Sequence, residues 1–130
     1  MHNARKIPTA VNLHRASRML ELQYGNDERY ELSCEFLRVQ SPSAEVRGHG
    51  PGEEVLQTGK RMVTIDQIHG VGNYALQFSF SDGHDSGIYT WEYLYQLCKD
   101  QPRLWERYLE KLRLAGASRE PQGPVLIAKQ

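Results

Sequence analysis

Cysteine, net charge and long apolar runs are all scarce in this chain of 130 residues. Cys34 and Cys98 are its only cysteines. They are too few for a disulfide framework and too far apart for a metal-binding Cys-x-x-Cys pair, so reduced thiols in a cytoplasmic protein are expected. Sixteen basic and sixteen acidic side chains cancel, which removes the overall field that would steer the chain to nucleic acid or an anionic membrane. No stretch approaches the roughly 18 apolar residues that cross a bilayer, and the opening MHNARKIPTAVNLH lacks the apolar core, about 7 to 15 residues long, of a secretion signal. The Gly48-His49-Gly50-Pro51-Gly52 run lacks the Gly-Lys-Ser/Thr ending that aims backbone amides at a nucleotide phosphate.

What is present is enough for one ordinary domain with its own core. Alternation from Leu20 predicts a strand, Gly25-Asn26-Asp27 a turn, and Tyr30-Glu31-Leu32 the returning strand of a hairpin. Ser33 is placed to cap a short helix over Cys34 to Val39 that stops near Pro42. From Ser41 to Lys60 the composition turns to Ser, Pro, Gly and charge, which reads as one long loop. Met62 to Ile68 and Tyr74 to Phe80 alternate around Gly70-Val71-Gly72-Asn73 and predict a central hairpin. Ser86 to Tyr89 adds a short strand, Thr90 caps a helix bearing Trp91, Leu94, Tyr95 and Cys98, and Pro102 starts a second helix bearing Leu104, Trp105, Tyr108, Leu109 and Leu112. The expectation is therefore an α+β domain, antiparallel hairpins packed with two or three helices, over residues 8–116. A flexible N-terminus, residues 1–7, precedes it; the tail at 117–130 is expected to be disordered, with Val125-Leu126-Ile127 as a docking patch.

The chemistry concentrates in Asp82-Gly83-His84-Asp85-Ser86-Gly87-Ile88-Tyr89-Thr90-Trp91. One His between two Asp residues can bind a metal, accept a proton, or pin a turn. The structural reading has an aspartate accepting from the imidazole while Gly83 and Gly87 supply turn dihedrals. The metal reading joins His84 to His49, Asp82 or Asp85 as an iron or zinc site, and needs the Gly-rich loop to fold back onto the turn. A triad from Ser86, His84 and Asp85 fails, because neighbours in sequence cannot reach triad geometry. Cys34 and Cys98 lie beside apolar residues, where a thiol acts as a small hydrophobe. The aromatics from Trp91 to Tyr108 read as core.

Leu37-Arg38, Ser41-Pro42-Ser43-Ala44-Glu45-Val46, Gly48 to Gly52, Val71 to Ala75 and the Asp82 to Trp91 loop together resemble the gamma-butyrobetaine hydroxylase-like N-terminal domain family, over about Pro8 to Leu97. Such domains stand alone as small bacterial proteins, form the zinc-binding N-terminal domain of gamma-butyrobetaine and trimethyllysine hydroxylases, or are attached to P-loop iron–sulfur scaffold proteins. This chain resembles the stand-alone form. In the hydroxylases a Cys-Pro-Cys-x-x-Cys pattern and a later His hold zinc. The matching residues here are Ser41, Ser43, Val46 and His84, and neutral hydroxyls bind zinc poorly. The resemblance does not extend to the iron- and 2-oxoglutarate-binding catalytic domain of those enzymes, so hydroxylase chemistry is not expected of these residues.

The resemblance thus implies a non-catalytic binding or adaptor domain with a protein partner, linked to metal-cofactor or iron–sulfur protein assembly. Ser41, Ser43, Gly48, His49, Gly50, Gly83, His84, Ser86, Tyr89 and Trp91 form its expected interaction loops. The alternatives are a metal-binding domain using His84, and a small enzyme using His84 as general base.

Overall fold

The computed structural model describes residues 6–121. Two three-stranded antiparallel sheets, each in sequential strand order, are joined by three helices. The first sheet holds β1 (Ala10–His14), β2 (Met19–Gln23) and β3 (Arg29–Ser33). Leu20 lies opposite Leu13 and Leu32, so one face of the central strand is apolar and turns inward. At the β2–β3 turn Asn26 and Asp27, rather than Gly25, take the positive φ angles of 63° and 62°. Short polar side chains tolerate that region through local hydrogen bonds.

Ser33 caps α1 (Cys34–Val39) by accepting from the Phe36 N–H at 3.0 Å, and every residue of this helix is buried. The central hairpin is β4 (Ile65–Val71) with β5 (Ala75–Phe80); β6 (Ile88–Thr90) then pairs with β5. The core runs between these elements through Leu22, Phe36, Leu37, Phe78, Tyr89 and Leu94, all with no exposed surface. Both thiols are buried and free, and burial pushes Cys98 up to about 12 and raises Cys34. Trp91, Tyr93, Tyr95 and Trp105 pack half-buried against this core, and Tyr108 is buried.

Three expectations are corrected. The segment from Ser41 is not wholly loop: Ser43 caps a further one-turn helix, α2 (Ala44–Arg47), and the Val55 N–H returns to the Val46 carbonyl at 2.8 Å. Gly48, at φ 74°, permits that return, because a Cβ there would lie 2.2 Å from the Glu53 carbonyl oxygen. Secondly, the two expected C-terminal helices are one, α3 (Trp91–Ala115), with Pro102 inside it. Proline forgoes the hydrogen bond to the residue four back, a cost of about 3 kcal/mol. Burial of Tyr108 and Leu112 and the edge-on contact of Trp105 with Phe36 hold the second half in line.

Thirdly, residues 117–119 of the expected tail are tied to the domain. Ser118 and Arg119 accept from Gly59 and Arg61 at 2.9 Å each. The Arg119 guanidinium then clasps the buried Glu35 carboxylate at 2.7 and 2.8 Å and lies over Trp105. A charge pair formed only in the fold gave no periodic signal. The remainder of the expected tail, with Val125 to Ile127, and the expected flexible start up to Arg5 lie outside the described residues.

Arg119→Ala strands Glu35, which is only 4% exposed, and should cost about 2–3 kcal/mol in urea unfolding. A loss under about 0.5 kcal/mol would show that 117–119 merely rest on the surface.

Candidate functional site

Two short segments far apart in sequence meet at one corner: the α1–α2 connection with the start of α2, residues 40–45, and the turn after β5, residues 81–87. Asp82 anchors the turn. Its Oδ2 accepts from Arg38 Nε at 2.9 Å and Lys60 Nζ at 2.6 Å, and its Oδ1 accepts from the His84 backbone N–H at 3.2 Å. Burial opposes its ionisation, but Lys60, the His84 amide and Arg38 together hold it below the usual carboxylate range. Arg38 is itself buried, and its Nη1 finds no hydrogen-bond partner among the described residues.

His84 points into the protein with its side chain only 4% exposed. Nδ1 stands 2.9 Å from Glu45 Oε1 and Nε2 stands 2.8 Å from Ser41 Oγ. A carboxylate only accepts, so Nδ1 carries the proton; in the neutral ring Nε2 is then the acceptor for the Ser41 hydroxyl. Ser41 in turn accepts from the Ser43 N–H at 3.2 Å, and the Ser43 and Ser86 hydroxyls share a 2.7 Å bond. Burial first, then the positive charge of Arg38, pushes the His84 pKa below its ordinary 6.5 against the pull of Glu45. The downward shift favours the neutral ring, in which Nδ1 donates to Glu45 and Nε2 accepts from Ser41.

Glu45, His84 and Ser41 follow the order of a catalytic acid, base and nucleophile, yet the accessibility is reversed. Ser41 has no exposed surface while Glu45 is 69% exposed. Gly87 packs so closely on Ser41 that a Cβ there would sit 2.5 Å from its Oγ. A nucleophile needs room for a substrate at its oxygen, and this hydroxyl instead closes a structural chain.

The residues matching the zinc ligands of the hydroxylases do converge, in that Ser41 and Ser43 each bond to the 84–86 turn while Val46 is buried nearby in sequence on α2. They do not fit zinc: two neutral hydroxyls and an alkyl group replace thiolates, and both imidazole nitrogens are engaged. His49 stands exposed in its loop, Asp82 faces two cations, and the Asp85 side chain is exposed. Among the described residues no group of three or more His, Cys, Asp and Glu is arranged to hold a metal ion. Tyr89 is buried with its hydroxyl on the Leu37 carbonyl at 2.6 Å, and the Trp91 indole N–H caps the Asn73 carbonyl at 2.8 Å.

Sequence reading missed Glu45, Lys60 and an adjoining groove. The groove has a volume of about 610 Å³ and lies between the second half of α3, α2 and residues 54–57. Val39, Val46, Leu56, Leu104 and Tyr108 line it with Val55 and Leu114, which are 53% and 71% exposed. Arg47, Arg107, Lys111 and Glu54 are its charged lining residues. The recurrence of Leu104, Arg107, Tyr108, Lys111 and Leu114 at helical spacing was the available signal, hidden because it overlaps the core stripe.

The fold and this corner define a small α+β module with a closed polar cluster beside an open amphipathic groove. The family model described as gamma-butyrobetaine hydroxylase-like, N-terminal, matches residues 11–95, and the chain belongs to that family. It is similar to two solution NMR structures at 50% and 48% identity, with TM-scores of 0.80 and 0.75. The first match covers 98% of this chain and 100% of the other, the second 100% and 98%. A crystal structure of a DUF971-family protein of unknown function from Acidithiobacillus ferrooxidans is 35% identical with a TM-score of 0.61, over 74% of this chain and 97% of that one. Among curated proteins no relative matches. No helix among the described residues is long and apolar enough to cross a membrane.

A folded-state His84 pKa below 6.5 means the unfolded chain takes up its proton first as pH falls. Stability should be complete above about pH 6.5 and decline below it down to the folded-state pKa, with Asp82 adding a separate loss below about pH 4. Unfolding free energy measured against pH should lose the upper slope in His84→Gln; an unchanged slope would place the titration elsewhere.

Proposed function

We propose that the protein is a non-catalytic binding domain, an adaptor that captures a protein partner, and that its role lies in metal-cofactor or iron–sulfur protein assembly. The groove beside α3 is the observation that carries the binding role. It gathers the exposed Val55 and Leu114 with Val39, Val46, Leu56 and Leu104 on one concave surface, and a contiguous apolar concavity, unlike a lone exposed side chain, marks a contact site. The polar cluster at His84 supports the non-catalytic part, since its only buried hydroxyl–imidazole pair is sealed under Gly87. The link to cofactor assembly rests on resemblance to domains attached to iron–sulfur scaffold proteins.

On this reading His84 positions the groove rather than touching the partner. It holds Glu45 at the start of α2, whose Val46 and Arg47 form one wall. Affinity capture from a cell extract, read by quantitative mass spectrometry, should enrich a specific protein set with the wild type. Leu114→Asp should lose that set by at least about tenfold, since it puts a charge on the most exposed apolar side chain of the groove, where a partner's apolar surface would have to cover it. Leu114 is exposed, so the variant should keep the wild-type circular dichroism spectrum. Equal enrichment by both proteins would overturn the groove as the partner site.

A further inference from the structure

Resting on the binding-domain reading, we infer that the groove takes an acidic amphipathic helix of the partner. Its shape gives the first argument. Leu104, Arg107, Tyr108, Lys111 and Leu114 recur along one flank of α3, a length of about 15 Å at 1.5 Å per residue. A half-open trough of that length and about 610 Å³ matches three turns of a docked helix, whose apolar anchors at successive turns enter between the two walls.

Charge gives the second argument, and it comes from a contrast along one helix. Arg103 and Arg113 of α3 are paired with Asp100 and Glu110. Arg107 and Lys111, which line the groove, have no carboxylate partner among the described residues. On the opposite wall Arg47 is held by the Gln40 carbonyl and the Tyr93 hydroxyl, with its guanidinium over the Tyr93 ring. Those neutral partners fix its direction without cancelling its charge. Three cations therefore flank the apolar floor against the single carboxylate of Glu54. In a chain whose total charge is zero, this local excess selects an acidic partner, because complementary rims steer association and penalise like charge.

The test uses the full chain with methyl and amide labelling, titrated with three synthetic helical peptides: a Leu/Glu amphipathic sequence, its Leu/Lys counterpart, and a scrambled Leu/Glu control. The acidic amphipathic peptide should shift the signals of Val39, Val46, Val55 and Leu114. It should bind at least about tenfold more tightly than the other two, and weaken as salt rises past about 0.1 M. The double variant Arg107→Glu with Lys111→Glu should reverse the preference toward the Leu/Lys peptide.

Equal binding of acidic and basic peptides, or shifts confined to another face, would overturn the inference. So would groove signals that move with protein concentration alone, which would assign the groove to a second copy, or contacts from Val125 to Ile127, which would assign it to the chain's own end. If Leu114→Asp abolishes partner capture while no acidic peptide binds, the partner chemistry proposed here fails and the binding-domain reading stands. Failure of both experiments removes both.

Discussion

The bond between His84 and Ser41 is the constraint on which this corner of the molecule depends, because it joins segments 43 residues apart through groups that cannot be buried alone. A buried imidazole or hydroxyl without a partner costs about 1–3 kcal/mol. Each therefore requires the other, and the requirement spreads. Nε2 can accept from Ser41 only if Nδ1 keeps the proton, which calls for Glu45; Ser41 then takes the Ser43 amide, and Ser43 both caps α2 and meets Ser86. Arg38 and Lys60 fix Asp82, whose carboxylate orders the turn that presents His84.

The same cluster sets the groove. Ser43 and Glu45 tie the start of α2 to the 84–86 turn, and the Val55–Val46 hydrogen bond brings residues 54–57 alongside it. Tyr108 reaches across from α3 to donate to the Gln57 carbonyl at 2.8 Å, so both walls and the floor are tied together. A polar network that would occupy only a few residues in the sequence thus shapes an apolar surface several residues away. Hydrogen bonds from Ser41 and Ser43 to the 84–86 turn supply the cross-link between the two segments.

Much of the fold was legible. The β2–β3 and β4–β5 hairpins follow from alternation, and Ser33 and Thr90 announce the helices they cap, whereas strand β1 gave too short a pattern to be read. Those are local signals, decided by backbone preference and the nearest few residues. Pro102 misled because its local cost is outweighed by Tyr108 and Leu112 packing at a distance. Arg119 gave no signal because its partner Glu35 lies 84 positions away. At the site, the Asp82 to Trp91 loop stood out through its Gly, Asp and His content. Glu45 and Lys60 did not, since a surface-type residue becomes a partner only when tertiary structure delivers a buried group to it.

By itself the sequence determined the class of the domain, the β2–β3 and β4–β5 hairpins, the caps at Ser33 and Thr90, and the family to which it belongs. Those properties reside in residue identity and short-range periodicity. Tertiary structure alone decided that His84 is neutral and sealed, that α3 continues through proline, and that Arg107 and Lys111 border an apolar trough without acidic partners. Burial, proton position and charge pairing depend on which distant groups come within a few ångströms, and no spacing along the chain encodes that.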